Sequence, residues 1–77
     1  MKLFTKAEQR YKINAHYFTI MRESIYLSVE QFANVVGWSV PYQYKLESGK
    51  VHIISEKTMK EIRSAFYRYG IDVKILY

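Results

Sequence analysis

The chain contains no cysteine, one proline, three glycines and a single aspartate, Asp72. Without cysteine there is no disulfide framework, no thiolate metal site and no cysteine nucleophile. No Gly/Ser-rich linker, repeat or low-complexity tract interrupts the sequence, so residues 1–77 are expected to form one domain. No apolar run approaches the roughly 18 residues that a bilayer span needs, and the opening MKLFTK lacks the hydrophobic core of a signal peptide. A soluble, cytoplasmic protein with no membrane association is the expectation. His16 and His52 lie far apart, without the local spacing of metal ligands. There is no glycine loop to cradle a phosphate, and Asp72 stands beside no obvious base or nucleophile. Neither a cofactor nor a metal nor an enzymatic activity is therefore expected.

What the sequence does have is apolar bulk and positive charge. Hydrophobic residues make up 49% and aromatic residues 17%, which argues for a packed core and against disorder. Twelve Lys and Arg against seven Asp and Glu give a net charge of +5, which favours a polyanionic partner such as nucleic acid. A chain of 77 residues buries only about 60% of its unfolded surface. That thin margin favours a homodimer.

Thr5 with Glu8 has the spacing of a capping box, and apolar residues recur at Ile13, Tyr17, Ile20, Met21 and Ile25 with helical spacing. A first helix is expected over residues 13–24. Residues 5–12 either continue it or form a separate turn, so residues 1–12 read as an N-terminal arm or an extra helix. Ser28 with Gln31 is a second capping box, followed by Phe32, Ala33, Val35 and Val36 and closed by Gly37. Ser39 caps a third helix, Pro41 is tolerated in its first turn, and Gly49 ends it. After the loop KVHII, Ser55 caps a fourth helix with an apolar stripe of Met59, Ile62, Phe66 and Tyr69, ended by Gly70. Its other face carries Lys57, Lys60, Arg63 and Arg68.

The tail IDVKILY alternates Ile71, Val73, Ile75 and Tyr77 with Asp72, Lys74 and Leu76, and reads as a strand. A lone strand has unpaired edges, so it needs the N-terminal KLF segment, its symmetry mate or a partner protein. The symmetry mate is preferred, which makes Ile71, Val73, Ile75 and Tyr77 the expected dimerisation residues. The plainer alternative is an extension packed over the fourth helix.

The second and third helices, joined by a three-residue turn around Gly37, make a helix-turn-helix whose second helix is free to enter a DNA major groove. Ala33 lets the helices approach, and Phe32, Val36, Trp38 and Leu46 supply inward contacts. Here, through MRE, LSVEQFA, the glycine and serine of GWS, and KLESG, residues 13–69 resemble the Cro and lambda-type repressors, the XRE family of regulators. The resemblance implies an all-α fold, a lambda-repressor-like bundle of four or five helices, to which the C-terminal strand is added. It also implies a dimer on a partly palindromic operator. By the same resemblance Ser39 approaches a phosphate, while Val40, Pro41, Tyr44 and Lys45 face base edges. Lys45 has the chemistry to donate to guanine O6 and N7, whereas Val40 and Pro41 offer only apolar contacts. Gln31, Tyr42, Lys50 and His52 are further candidates for phosphate contacts, with packing against a neighbouring helix as the alternative for Tyr42. Arg22 and Glu47 match a partly buried salt bridge between the first and third helices.

Two positions depart from the family pattern. Val29 stands where a glutamine commonly anchors a phosphate, so that anchor is either absent or replaced by Gln31. Gln43 stands where the third helix usually buries Ile or Val, so either the helix is rotated or Gln43 is exposed. The functional expectation is a sequence-specific transcriptional regulator of phage or mobile-element type, acting as a repressor on double-stranded DNA. The rivals are an antitoxin-like module that binds a small protein partner and autoregulates on DNA, and a helix-turn-helix scaffold that has lost readout.

Overall fold

The computed structural model describes residues 2–73 together with 75 and 76. Its first element is a hairpin: β1 (Phe4–Ala7) runs antiparallel to β2 (Arg10–Ile13), with Phe4 opposite Ile13 and Ala7 opposite Arg10. Glu8, in the connecting turn, has φ 57°, the left-handed backbone that tight hairpin loops use. Along β2, Arg10 and Lys12 are exposed while Tyr11 and Ile13 are buried. That alternation has the period of a strand, and a helix would spread the same residues around its circumference.

Four helices follow: α1 (Ala15–Ser24), α2 (Val29–Val36), α3 (Val40–Ser48) and α4 (Glu56–Arg68). Each is opened by a short polar side chain: Asn14, Ser28, Ser39 and Ser55 accept from the N–H of Tyr17, Gln31, Tyr42 and Thr58. The Ser28–Gln31 capping box is complete, with the Gln31 side chain reaching back to the Ser28 N–H. α1 starts after Asn14, later than the expected residue 13, because Ile13 belongs to β2. Between α3 and α4, β3 (Ile53–Ile54) pairs antiparallel with β2, and after α4, β4 (Ile75–Leu76) pairs parallel with β1. The sheet order is β3-β2-β1-β4.

The fold is therefore α+β, which corrects the expected all-α bundle in three places. Residues 5–12 are neither a continuation of the first helix nor an extra helix; they form the hairpin, and Thr5 lies within β1 instead of capping. The KVHII segment read as loop contains β3. The C-terminal strand pairs with β1 of its own chain, at Phe4↔Ile75 and Thr5↔Leu76, where pairing with a symmetry mate was expected. Helix-forming residues in KAEQR are overridden because Leu3, Phe4, Tyr11 and Ile13 all enter the core.

That core joins the sheet to the helices. Phe18 of α1, Phe32 of α2 and Phe66 of α4 are fully buried and meet with ring centroids 5.2, 5.7 and 5.1 Å apart. Such aromatic pairs add about 0.5–1.5 kcal/mol each beyond area burial. Leu46, Met59 and Ile62 complete the helical side, and Tyr11 of β2, Ile54 of β3 and Val73, after α4, join the same core. On α1 it is Phe18 that points inward, and Ile20 is 41% exposed. On α4, Met59, Ile62 and Phe66 are buried as the stripe requires, while Tyr69, the cap at the helix end, is 44% exposed.

Candidate nucleic-acid interface

α2 and α3 meet across a tight turn. Gly37 has φ 90°, and its N–H and that of Trp38 both donate to the Ala33 carbonyl, at 2.8 and 2.9 Å. Open space surrounds the position a Cβ would take, so the glycine is required by its φ and not by crowding. Ala33 is fully buried under the turn, and Trp38 meets Tyr42 edge-on at 5.1 Å. Tyr42 is thus a half-buried packing residue, which limits what its ring offers to DNA.

The inner side of α3 is held by a polar network. Arg22 Nε donates to both Glu47 oxygens at 3.1 and 2.9 Å, and Nη2 adds a third bond at 2.9 Å. Arg22 Nη1 donates to the Leu27 carbonyl at 2.7 Å, tying the α1–α2 connection to the same group. Thr19 Oγ1 donates to Glu47 at 2.9 Å and Gln43 Nε2 donates at 2.6 Å. Burial pushes the Glu47 carboxyl up, but the bonds from Arg22, Gln43 and Thr19 and the Arg22 charge outweigh it, leaving its pKa below the ordinary carboxylate value. Arg22 is held more firmly protonated, chiefly by its hydrogen bonds to Glu47. Gln43 is fully buried, which overturns the expectation of a rotated helix or an exposed glutamine, and among the described residues its Oε1 has no partner.

The outer side of α3 faces solvent. Pro41, Tyr44 and Lys45 are exposed and Val40 is half-buried at the helix start. Ser39, exposed, uses its oxygen to accept from the Tyr42 N–H at 3.3 Å and keeps its hydroxyl hydrogen for another partner. Gln31 is exposed, and its side-chain oxygen is committed to the Ser28 N–H at 2.8 Å, so only its NH2 remains to donate. Lys50 and His52 are exposed beyond Gly49, and the His52 carbonyl is anchored by the Ile13 N–H at 2.9 Å. Of the expected dimerisation residues, Val73 is buried in the core of its own chain and Ile71 is half-buried against it. Ile75 pairs with Phe4 through the backbone, and Tyr77 lies outside the described residues.

Two contributors were missed from sequence. Thr19, one turn before Arg22 on α1, joins the Glu47 network, a proximity that helical spacing alone made available. Glu30, in the first turn of α2, accepts from the Tyr44 hydroxyl at 3.3 Å, and no local pattern links residues 14 apart. The charge of Glu30 raises the Tyr44 pKa, so this phenol stays protonated.

Elsewhere, an open groove of about 660 Å3 lies between the end of α2 and α4, rimmed by Glu56, Lys57, Lys60, Glu61 and Arg68. Its mixed charges single out no ligand. Among the described residues no three His, Asp or Glu side chains converge as metal ligands would, and no helix is long and apolar enough to cross a membrane. No family model matches the chain, and neither a curated protein nor a solved structure is significantly similar to it.

Proposed function

We propose that this protein is a sequence-specific, double-stranded-DNA-binding transcriptional regulator of the cytoplasm, a homodimeric repressor that occupies a partly palindromic operator. The observation that carries this reading is the division of α3 into two sides. Leu46, Gln43 and Glu47 fix the inner side, and Pro41, Tyr44 and Lys45 are left exposed on a rigid support. A side chain must be held in place before it can discriminate bases, and a helix presented beyond a helix-turn-helix turn is suited to the major groove. The net charge of +5 favours the phosphate backbone, and Lys50, His52 and Ser39 are the residues to contact it.

The test is selection of binding sites from random duplex DNA at near-physiological salt, with the bound pool sequenced. Enrichment of inverted half-sites centred about one helical turn apart, roughly 10 base pairs, is the expected result. Salt-sensitive bulk binding with no enriched sequence would sink the proposal.

A further inference from the structure

Resting on that DNA-binding reading, the geometry points to Tyr44 and Glu30 as a paired specificity element that reads the exocyclic amine of a cytosine in the major groove. The Tyr44 hydroxyl has one hydrogen, and it is directed at Glu30 Oε1 across the α2–α3 junction, 3.3 Å away. Both side chains are exposed, so the pair is available to a ligand. With that hydrogen committed, the phenol oxygen presents lone pairs only, and the second Glu30 oxygen does the same. The pair is a surface of acceptors with a negative charge.

That chemistry selects its partner. Phosphate oxygens are acceptors and anionic, so the pair has nothing to give them and repels them. In the major groove the base donors are adenine N6–H and cytosine N4–H. Adenine places its N7 acceptor beside its amine, which brings lone pairs against the second acceptor of the pair. Cytosine presents the amine with no acceptor next to it on its own edge. Lys45, the following residue, is also exposed and supplies the donor that suits guanine O6 and N7, so the two positions together favour a C·G pair over T·A or A·T. Glu30 also opposes contact with phosphates, but that repulsion is the same on every sequence, so the discrimination rests on the cytosine amine alone.

The experiment compares the selected half-sites of the wild type with those of Tyr44→Phe and Glu30→Gln, each first shown by circular dichroism to keep the wild-type spectrum. The wild type is expected to enrich a cytosine at one fixed position of each half-site. Tyr44→Phe should lose roughly tenfold discrimination at that position and leave the others unchanged. Glu30→Gln adds an amide donor that complements adenine N7, so its preference should move from cytosine towards adenine. A wild-type half-site with no such cytosine, or one that neither variant alters, overturns the paired readout while leaving DNA binding in place. No enriched site for the wild type overturns both readings together.

Discussion

Gln43 and Glu47, one turn apart on α3, are joined on its inner side by a hydrogen bond of 2.6 Å, and among the described residues the Gln43 amide oxygen has no partner. The glutamine occupies a position where an apolar residue was to be expected, and it is accommodated because the Glu47 carboxylate that receives Arg22 has lone pairs to spare. The network thereby joins α1 and α3 through the Glu47 carboxylate, and Arg22 ties the α1–α2 connection to it.

Gln43→Glu is the severe test of that arrangement. It replaces the donor by a second carboxylate beside Glu47, in a site with one guanidinium. An uncompensated buried charge costs about 3–5 kcal/mol, a large part of the stability of a domain this small. The variant should be largely unfolded at neutral pH and recover on acidification, when the new carboxyl is protonated and donates again. Gln43→Leu loses one bond and the unpartnered oxygen together, and should stay within about 1 kcal/mol of the wild type in urea denaturation.

Glu47 also sets a pH dependence. Its folded pKa lies below the ordinary carboxylate value, through the balance of burial against the bonds from Arg22, Gln43 and Thr19. A group depressed in this way contributes its full stabilisation above the unfolded pKa, about 4.3 for glutamate. That contribution is lost as the pH falls through the folded value. The urea midpoint of the wild type should therefore fall below about pH 4.3 more steeply than that of Glu47→Gln, which starts from a lower plateau at pH 7. Equal slopes would show that Glu47 does not titrate differently in the folded state.

The helix-turn-helix was legible because local chemistry marks each of its boundaries: Ser28 with Gln31, Gly37, Ser39 and Gly49 all sit where the structure starts or stops a helix. The Arg22–Glu47 bridge came from resemblance to a family, not from any pattern in the residues themselves. The hairpin was missed because Thr5 and Glu8 imitate a capping box and KAEQR is rich in helix formers, while the deciding factor is the burial of Phe4 against a core assembled from distant segments. β3 is two residues long, too short for a period to be seen. The C-terminal strand was legible from its alternation, but its partner, β1 of the same chain, is set by tertiary contact. The Glu30–Tyr44 contact is likewise a product of how two helices meet.

The tail gives a test of whether Val73 acts within its own chain or between chains. Val73 is 6% exposed within the core of its own chain, so Val73→Ala should cost about 2 kcal/mol by methyl deletion and cavity formation. The loss should be the same at every protein concentration in thermal unfolding. A loss that grows on dilution would show that Val73 acts mainly through an interface between chains.

Lys45 and Lys50 are both exposed lysines around the C-terminal half of α3, yet they should fail differently. Lys50 lies past Gly49, where the chain leaves the helix, and in the proposed complex it is a point charge for a phosphate. Lys50→Ala should weaken binding by the same factor on every sequence and flatten the logarithmic salt slope by about 0.9. In the proposed complex Lys45 is a base donor, so Lys45→Ala should cost about 1–3 kcal/mol on the preferred site and relax selection at one position. Measuring affinity at two salt concentrations on a selected and an unrelated duplex distinguishes the two patterns. If both variants shift all four values equally, α3 contributes charge and no readout, and the specificity assigned to its outer face is wrong.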